Sequence, residues 1–206
     1  MDELHYPLLS LARLRMGIDG NGVTTLVAGA GCTLHCHWCI NKRLLEEAVP
    51  EQVTALQLLE RVRIDDLYFR ATGGGITFGG GEPLLHVGFL RQFRSLAPSE
   101  WKVRIETSLA VPAEQIIPAV DAADEFIVDC KDMNPEIYRR YTGGDCSVLV
   151  SNLRSLLDLI GPERILVRVP LIPDYNTLED QVSSVSVLKA LGLTRFDLFP
   201  YVLRKT

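Results

Sequence analysis

With 206 residues, 47% hydrophobic and 23% charged, the chain has an ordinary globular composition. It is long enough for one well-buried core and too short for two ordinary domains. A net charge of −5 without a Lys/Arg cluster speaks against nucleic-acid binding, and no stretch approaches the roughly 20 apolar residues of a membrane span. The start, Met1-Asp2-Glu3-Leu4-His5, is acidic and has no apolar signal region. Without repeats or low-complexity linkers, residues 1–206 are expected to form a single domain, with an arm over 1–18 and a core over 19–202.

The arm mixes Leu8, Leu9, Leu11 and Leu14 with charges and shows no clear period. Asp19-Gly20-Asn21-Gly22 is a turn signal. Residues 23–28 are short, β-branched and apolar, the pattern of a buried strand. They lead directly into Gly31-Cys32-Thr33-Leu34-His35-Cys36-His37-Trp38-Cys39-Ile40-Asn41, which holds three of the five cysteines at C-x3-C-x2-C spacing. Thiolates this close on one loop can converge on a metal centre. Three of them bind three irons of a cubane 4Fe–4S cluster and leave the fourth iron to a non-protein ligand, unlike the four-cysteine sites of electron carriers. A zinc site using the cysteines with His35 or His37 is the alternative, although no distant second half is present. A disulfide framework would need an oxidising compartment and a smaller, cysteine-dense chain. Because an open iron is readily oxidised, a cluster here implies a reducing, cytoplasmic and anaerobic setting.

Residues 51–64 place Val53, Leu56, Leu59 and Val62 on one helical face. Gly73-Gly74-Gly75-Ile76-Thr77-Phe78-Gly79-Gly80-Gly81-Glu82-Pro83 reads as a strand and then a turn where backbone approaches a ligand or another segment closely. A helix carrying Phe89, Phe93 and Leu96 should follow, with His86 at its start in a structural role. Lys102 to Glu106 is the third strand, ending in Glu106-Thr107-Ser108. A helix with Ile116, Ile117 and Val120 is shortened or kinked by Pro118. The fourth strand, 125–131, ends in an acid and a base, Asp129 and Lys131. A helical turn near Pro135 precedes a longer helix marked by Leu149, Leu153, Leu156 and Ile160 and closed by Gly161-Pro162. Cys130 is expected to be a small buried residue and Cys146 a loop residue.

Strand five, 165–171, is interrupted by Arg168, which must meet either a ligand or a paired acid because burying it alone is too costly. Leu178, Val182, Val185 and Leu188 mark a last helical face ending at Gly192, and residues 196–199 form strand six. Six strands alternating with helices indicate an α/β protein with a parallel sheet, too few units to close an eight-fold barrel. The expected architecture is a partial, open (β/α)6 barrel with ligands at the C-terminal ends of its strands.

The cysteine loop resembles that of the radical S-adenosylmethionine (radical SAM) superfamily, C-x3-C-x-aromatic-C, with Trp38 as the aromatic. From about residue 19 to 202 the chain is further similar to the glycyl-radical-enzyme activating enzymes, the family that includes pyruvate formate-lyase activating enzyme. Asp19-Gly20-Asn21-Gly22 resembles its D-G-x-G, and residues 73–83 its G-G-G-[VI]-T-x-[ST]-G-G-E-P. Asp129-Cys130-Lys131-Asp132-Met133-Asn134 resembles D-[LI]-K-x-M-[ND]. Residues 168–176 resemble R-[IV]-P-[LV]-[IV]-P-G-[YFW]-[NS], and Phe199-Pro200-Tyr201 resembles L-P-Y.

The resemblance implies cluster ligation by Cys32, Cys36 and Cys39, with the open iron chelated by S-adenosylmethionine. Gly80, Gly81 and Glu82 would hold its amino group, Trp38 would lie near the adenine, and Arg168 would contact the cofactor or its carboxylate. Glu106, Thr107 and Asp129 stand where the family forms a monovalent cation site beside that carboxylate. The implied partners are a glycyl radical enzyme as protein substrate and flavodoxin or ferredoxin as reductant; the alternative reading is a radical SAM enzyme acting on another substrate, a small molecule or peptide, or an activase of anaerobic ribonucleotide reductase. The chain departs from the family pattern in several places. Glu106 replaces Asp, Asp174 replaces the glycine of the P-G turn, Val202 replaces a histidine, and the sequence stops at Thr206 where relatives continue.

Overall fold

The computed structural model describes residues 4–202, so the acidic start at 1–3 and the stop at Thr206 lie outside the described residues. The first element is a strand. β1 (His5–Met16) pairs antiparallel with β2 (Val23–Gly29) and, through His5–Leu8, with β3 (Glu51–Thr54). Residues 5–16 of the stretch read as an arm are therefore part of the sheet. Its register slips between Ala12 and Arg15, where Leu14 takes φ +54°, the left-handed conformation of a bulge.

Beyond β2 the sheet is parallel: β4 (Gly75–Gly80), β5 (Lys102–Thr107), β6 (Glu125–Asp129), β7 (Ile165–Leu171) and β8 (Phe196–Pro200) follow in that spatial order. The complete order is β3-β1-β2-β4-β5-β6-β7-β8, with β3 and β8 as unjoined edges. The six expected parallel strands are all present in an open sheet, with β1 and β3 added at one side.

Strand alternation divides the two faces. Ile76, Phe78, Val103, Ile105, Phe126, Val128, Val167 and Val169 enter the apolar core with residues of the covering helices. The intervening positions, Thr77, Arg104, Glu106, Asp129, Arg168 and Asp197, share the opposite, inner face.

The helices run in chain order as α1 (Lys42–Glu47), α2 (Ala55–Val62), α3 (Asp66–Thr72), α4 (Val87–Leu96), α5 (Ile116–Val120), α6 (Pro135–Thr142), α7 (Cys146–Ile160) and α8 (Leu178–Ala190). The helix expected over 51–64 begins later. A capping box between Thr54 and Gln57 sets its start, and the buried face becomes Ala55, Leu58, Leu59 and Val62, leaving Leu56 exposed. Val53 is buried in β3. On α4, Phe89 and Phe93 are buried while Leu96 is exposed. Pro118 sits within the five residues of α5. Cys146 begins α7, capped by Asp145, and is buried rather than in a loop.

The face of α8 departs furthest from expectation. Leu178 and Val182 are exposed, and the side turned inward carries Gln181, Ser184 and Leu188. Polar contacts hold it: Gln181 Nε2 donates to the Val169 carbonyl (2.7 Å), and Ser184 Oγ accepts from Met133 N–H (2.9 Å) and donates to Asp132 (3.3 Å). Ser184→Ala leaves the Met133 N–H without its acceptor and removes one of the bonds to Asp132, which keeps those from Asn134 N–H and Asn176 Nδ2, and is expected to cost about 1–3 kcal/mol. Val182→Ser should stay within about 0.5 kcal/mol. Thermal unfolding of the two variants checks the pair. Equal losses would contradict this packing.

Candidate functional site

The cysteine loop leaves the C-terminal end of β2 and is fastened on two sides. Ala30 N–H donates to the Pro7 carbonyl (2.9 Å), His35 N–H to the Thr142 carbonyl (2.8 Å) and His37 N–H to the Tyr141 carbonyl (3.0 Å), so β1 and the end of α6 hold its backbone. Leu34 is its buried anchor. Around this frame Cys32 is exposed, while Cys36 and Cys39 are half-buried. Burial pushes the Cys36 thiol up to about 11. The nearby Lys131 ammonium opposes this, and Cys39 and Cys32 add to it. The Cys32 thiol, though its residue is exposed, is likewise raised, first by desolvation of its sulfur, with Cys39 among its neighbours. Each thiol thus lies within electrostatic reach of another.

The turn after β4 packs directly on this loop. Gly81 N–H donates to the Gly29 carbonyl (3.0 Å), Glu82 N–H to the Gly31 carbonyl (2.8 Å), and Asn41 Nδ2 to the Gly80 carbonyl (2.8 Å). Side chains are excluded here. A Cβ on Gly81 would stand 2.0 Å from the Gly31 oxygen, and Gly80, at φ +90°, would meet Ala28 at 2.7 Å. The glycines read from the sequence as a close-approach turn serve to press one loop against the other.

Glu82 is buried, and its two oxygens accept four hydrogen bonds: from Thr107 Oγ1 (2.7 Å), Leu84 N (3.2 Å), Ser108 N (2.9 Å) and Ser108 Oγ (2.7 Å). Burial raises its pKa against the pull of these donors. A carboxylate offers about four acceptor sites. The Glu82 side chain is therefore committed to joining the ends of β4 and β5.

On the inner face, Arg168 Nη1 lies 2.8 Å from Glu106 Oε1 and its Nε 3.4 Å from Asp197, while another guanidinium nitrogen donates to the Ile18 carbonyl. Of the two readings left open for Arg168, the paired acid is the contact present here. Lys131 Nζ bonds Asp129 (2.8 Å) and the Tyr201 hydroxyl (3.3 Å). Burial and the Asp129 charge push Glu106 up to about 7, with Arg168 opposing. Asp19 joins this face from the β1–β2 connection, paired with Arg15, and its carbonyl accepts from Thr77.

The donor set fits the cluster that the spacing implies. It consists of three soft thiols on one loop, two half-buried, with a lysine ammonium near Cys36 to favour its thiolate. Among the described residues no three His, Cys, Asp or Glu side chains are close enough to share one metal ion. Ligands that take separate irons of a cubane do not need to converge on one point. Trp38 adds a buried indole Nε1 without a partner, beside the His37 ring at 4.4 Å. An orphaned donor at this position is available to a bound group.

A comparison with known protein families matches residues 26–181 to the radical SAM superfamily. The chain belongs to that superfamily. Among curated relatives it is 26% identical to the pyruvate formate-lyase 2-activating enzyme of Escherichia coli, over 89% of this chain and 73% of the relative. It is 29% identical to the indoleacetate decarboxylase activating enzyme of Tractidigestivibacter scatoligenes (73% and 48%) and 34% identical to the (2S)-3-sulfopropanediol dehydratase activating enzyme of Klebsiella oxytoca (66% and 43%). The chain spans less than half the length of the latter two. Streptococcus suis SuiB bound to S-adenosylmethionine shares the fold, with a TM-score of 0.65 at 12% identity, over 84% of this chain and 39% of SuiB.

Within the radical SAM fold, the expected site residues gather at the C-terminal ends of the parallel strands and on the inner face. Several contributors carry no role in the sequence reading. Asn41 closes the cysteine loop and Ser108 follows the acid at the end of β5, but only the folded chain brings them to Gly80 and Glu82. Asp197 and the Ile18 carbonyl, which hold Arg168, had no local signal. Asp174 takes φ +68°, a left-handed conformation that favours the glycine of the pattern the sequence resembles. His86 is structural as read: Nε2 lies 3.4 Å from the Ala30 carbonyl and the ring packs edge-on to Tyr6. Val202 is fully displayed to solvent at 82% exposure. No helix among the described residues is long and apolar enough to cross a membrane.

Proposed function

We propose that this radical SAM enzyme is an activating enzyme that removes a hydrogen atom from a glycine of a partner glycyl radical enzyme. The observation that carries the reading is the joining of the three-cysteine loop to the Gly80–Glu82 turn at the ends of β2 and β4, in a chain similar to named activating enzymes. A 4Fe–4S cluster on Cys32, Cys36 and Cys39 would supply one electron to S-adenosylmethionine, whose cleavage to methionine leaves a 5′-deoxyadenosyl radical.

The chain's own residues orient and shield. Backbone at Gly80 to Glu82 lies against the cluster loop and would meet the amino group. Trp38 would border the adenine, and Arg168 on the inner face would offer its guanidinium to the methionine carboxylate. The glycine loses hydrogen from its α-carbon and 5′-deoxyadenosine forms. A side chain would block approach at that carbon, and the open sheet leaves room for a loop to reach the strand ends from the side. Flavodoxin or ferredoxin serves as the electron donor in a reducing cytoplasm, and residues 1–206 act as one domain.

The test is anaerobic. Protein reconstituted with iron and sulfide, reduced with dithionite and given S-adenosylmethionine should release 5′-deoxyadenosine. Mixed with its partner, it should leave a glycyl radical signal in electron paramagnetic resonance. A fully loaded protein that yields no 5′-deoxyadenosine would sink the proposal.

A further inference from the structure

The strand-end set Glu106, Thr107 and Asp129 is already engaged within the chain. Glu106 is ion-paired with Arg168 (2.8 Å) and Asp129 with Lys131 (2.8 Å). The Thr107 hydroxyl donates to Glu82 and accepts from Leu109 N–H (2.9 Å). Arg168 is fixed from further sides by Asp197 and the Ile18 carbonyl, and Lys131 by the Tyr201 hydroxyl. Both cations are buried. A free monovalent ion would have to lose its water, compete with two tethered cations for the same carboxylates, and sit beside like charge. These residues do not fit such an ion.

The extra methylene of Glu106 has a geometric reason. β5 and β7 are separated by β6, a span of up to about 10 Å at ordinary strand spacing. Two long arms bridge it, and an aspartate on β5 would fall short of Arg168.

Resting on the radical SAM reading above, we propose that Arg168 and Lys131 supply within the protein the positive charge that a monovalent metal ion would otherwise provide. S-adenosylmethionine binding is then independent of sodium and potassium. Glu106 acts as a positioning residue that holds Arg168 for the methionine carboxylate.

The experiment is anaerobic titration of the cluster-loaded protein with S-adenosylmethionine, in buffer whose only cation is tetramethylammonium and in the same buffer with sodium or potassium chloride. The expected dissociation constants agree within about twofold. Tightening by about tenfold or more on adding either metal ion overturns the proposal. Glu106→Asp should weaken binding in tetramethylammonium and recover about tenfold with sodium or potassium. A variant that loads its cluster, binds, and stays indifferent to the ion also overturns it. Absence of binding by loaded wild-type protein in every buffer would instead bring down the radical SAM reading itself, which separates the two failures.

Discussion

Cys36→Ala is expected to abolish S-adenosylmethionine cleavage and cluster loading together. Cys36 is the central member of the loop. It is half-buried, its carbonyl accepts from Cys39 N–H (3.2 Å), and Lys131 lies within electrostatic reach of its sulfur. Alanine removes one of three iron ligands, and the loop holds no fourth cysteine to replace it. The two remaining cysteines are buried elsewhere, Cys130 at the end of β6 and Cys146 at the start of α7. Cys146→Ala is the matched control. It loses one weak contact, 3.8 Å from Sγ to the Asp132 carbonyl, and should keep both cluster and cleavage. Iron content and 5′-deoxyadenosine release after anaerobic reconstitution measure both variants. Near-wild-type cleavage by Cys36→Ala would mean that the loop does not hold the cluster.

The second large effect is on stability. Glu82→Ala removes the acceptor of four hydrogen bonds and strands Thr107 Oγ1, both donors of Ser108 and Leu84 N–H around a cavity. Each unsatisfied buried donor costs about 1–3 kcal/mol, although hydroxyls can turn to other partners. A loss of about 3–5 kcal/mol is expected, toward the upper end for single substitutions. In a chain of this size, that is a fall in Tm of about 6–20 °C. Glu82→Gln keeps the carboxamide oxygen for one side but turns an NH2 toward donors on the other, so it should fall between. Thermal unfolding of the cluster-free protein reads this directly, without any cofactor. A loss below about 1 kcal/mol would show that the junction of β4 and β5 does not depend on Glu82.

The parallel strands were legible because each is a short β-branched or apolar run bounded by glycine, proline or acid, as at residues 23–28 and 165–171. The cysteine loop and the Gly79-Gly80-Gly81 turn were legible because their chemistry is local. Thiol spacing and the absence of side chains need no tertiary partner to be read. β1 was not. Its charged residues find their acids in the folded chain: Arg13 pairs with Asp65, 52 positions away, and Arg15 with Asp19 across the end of the strand. A run of mixed leucines and arginines shows no period until those partners are in place. The face of α8 was misread for a related reason. Its inward side is closed by hydrogen bonds from Gln181 and Ser184, whereas periodicity registers only apolar burial.

The amino-acid sequence by itself determined the superfamily, the three thiols, the glycine turn and the alternation of strands with helices, since each depends on residues close together in the chain. Only the tertiary structure decided what the charged residues do. Whether Arg168 faces an acid or a ligand, and whether Glu82 is free or committed, depends on distances across strands that sequence spacing does not encode. Burial makes those pairings decisive, because an ionised group withdrawn from water must find its counter-charge or its donors inside the fold.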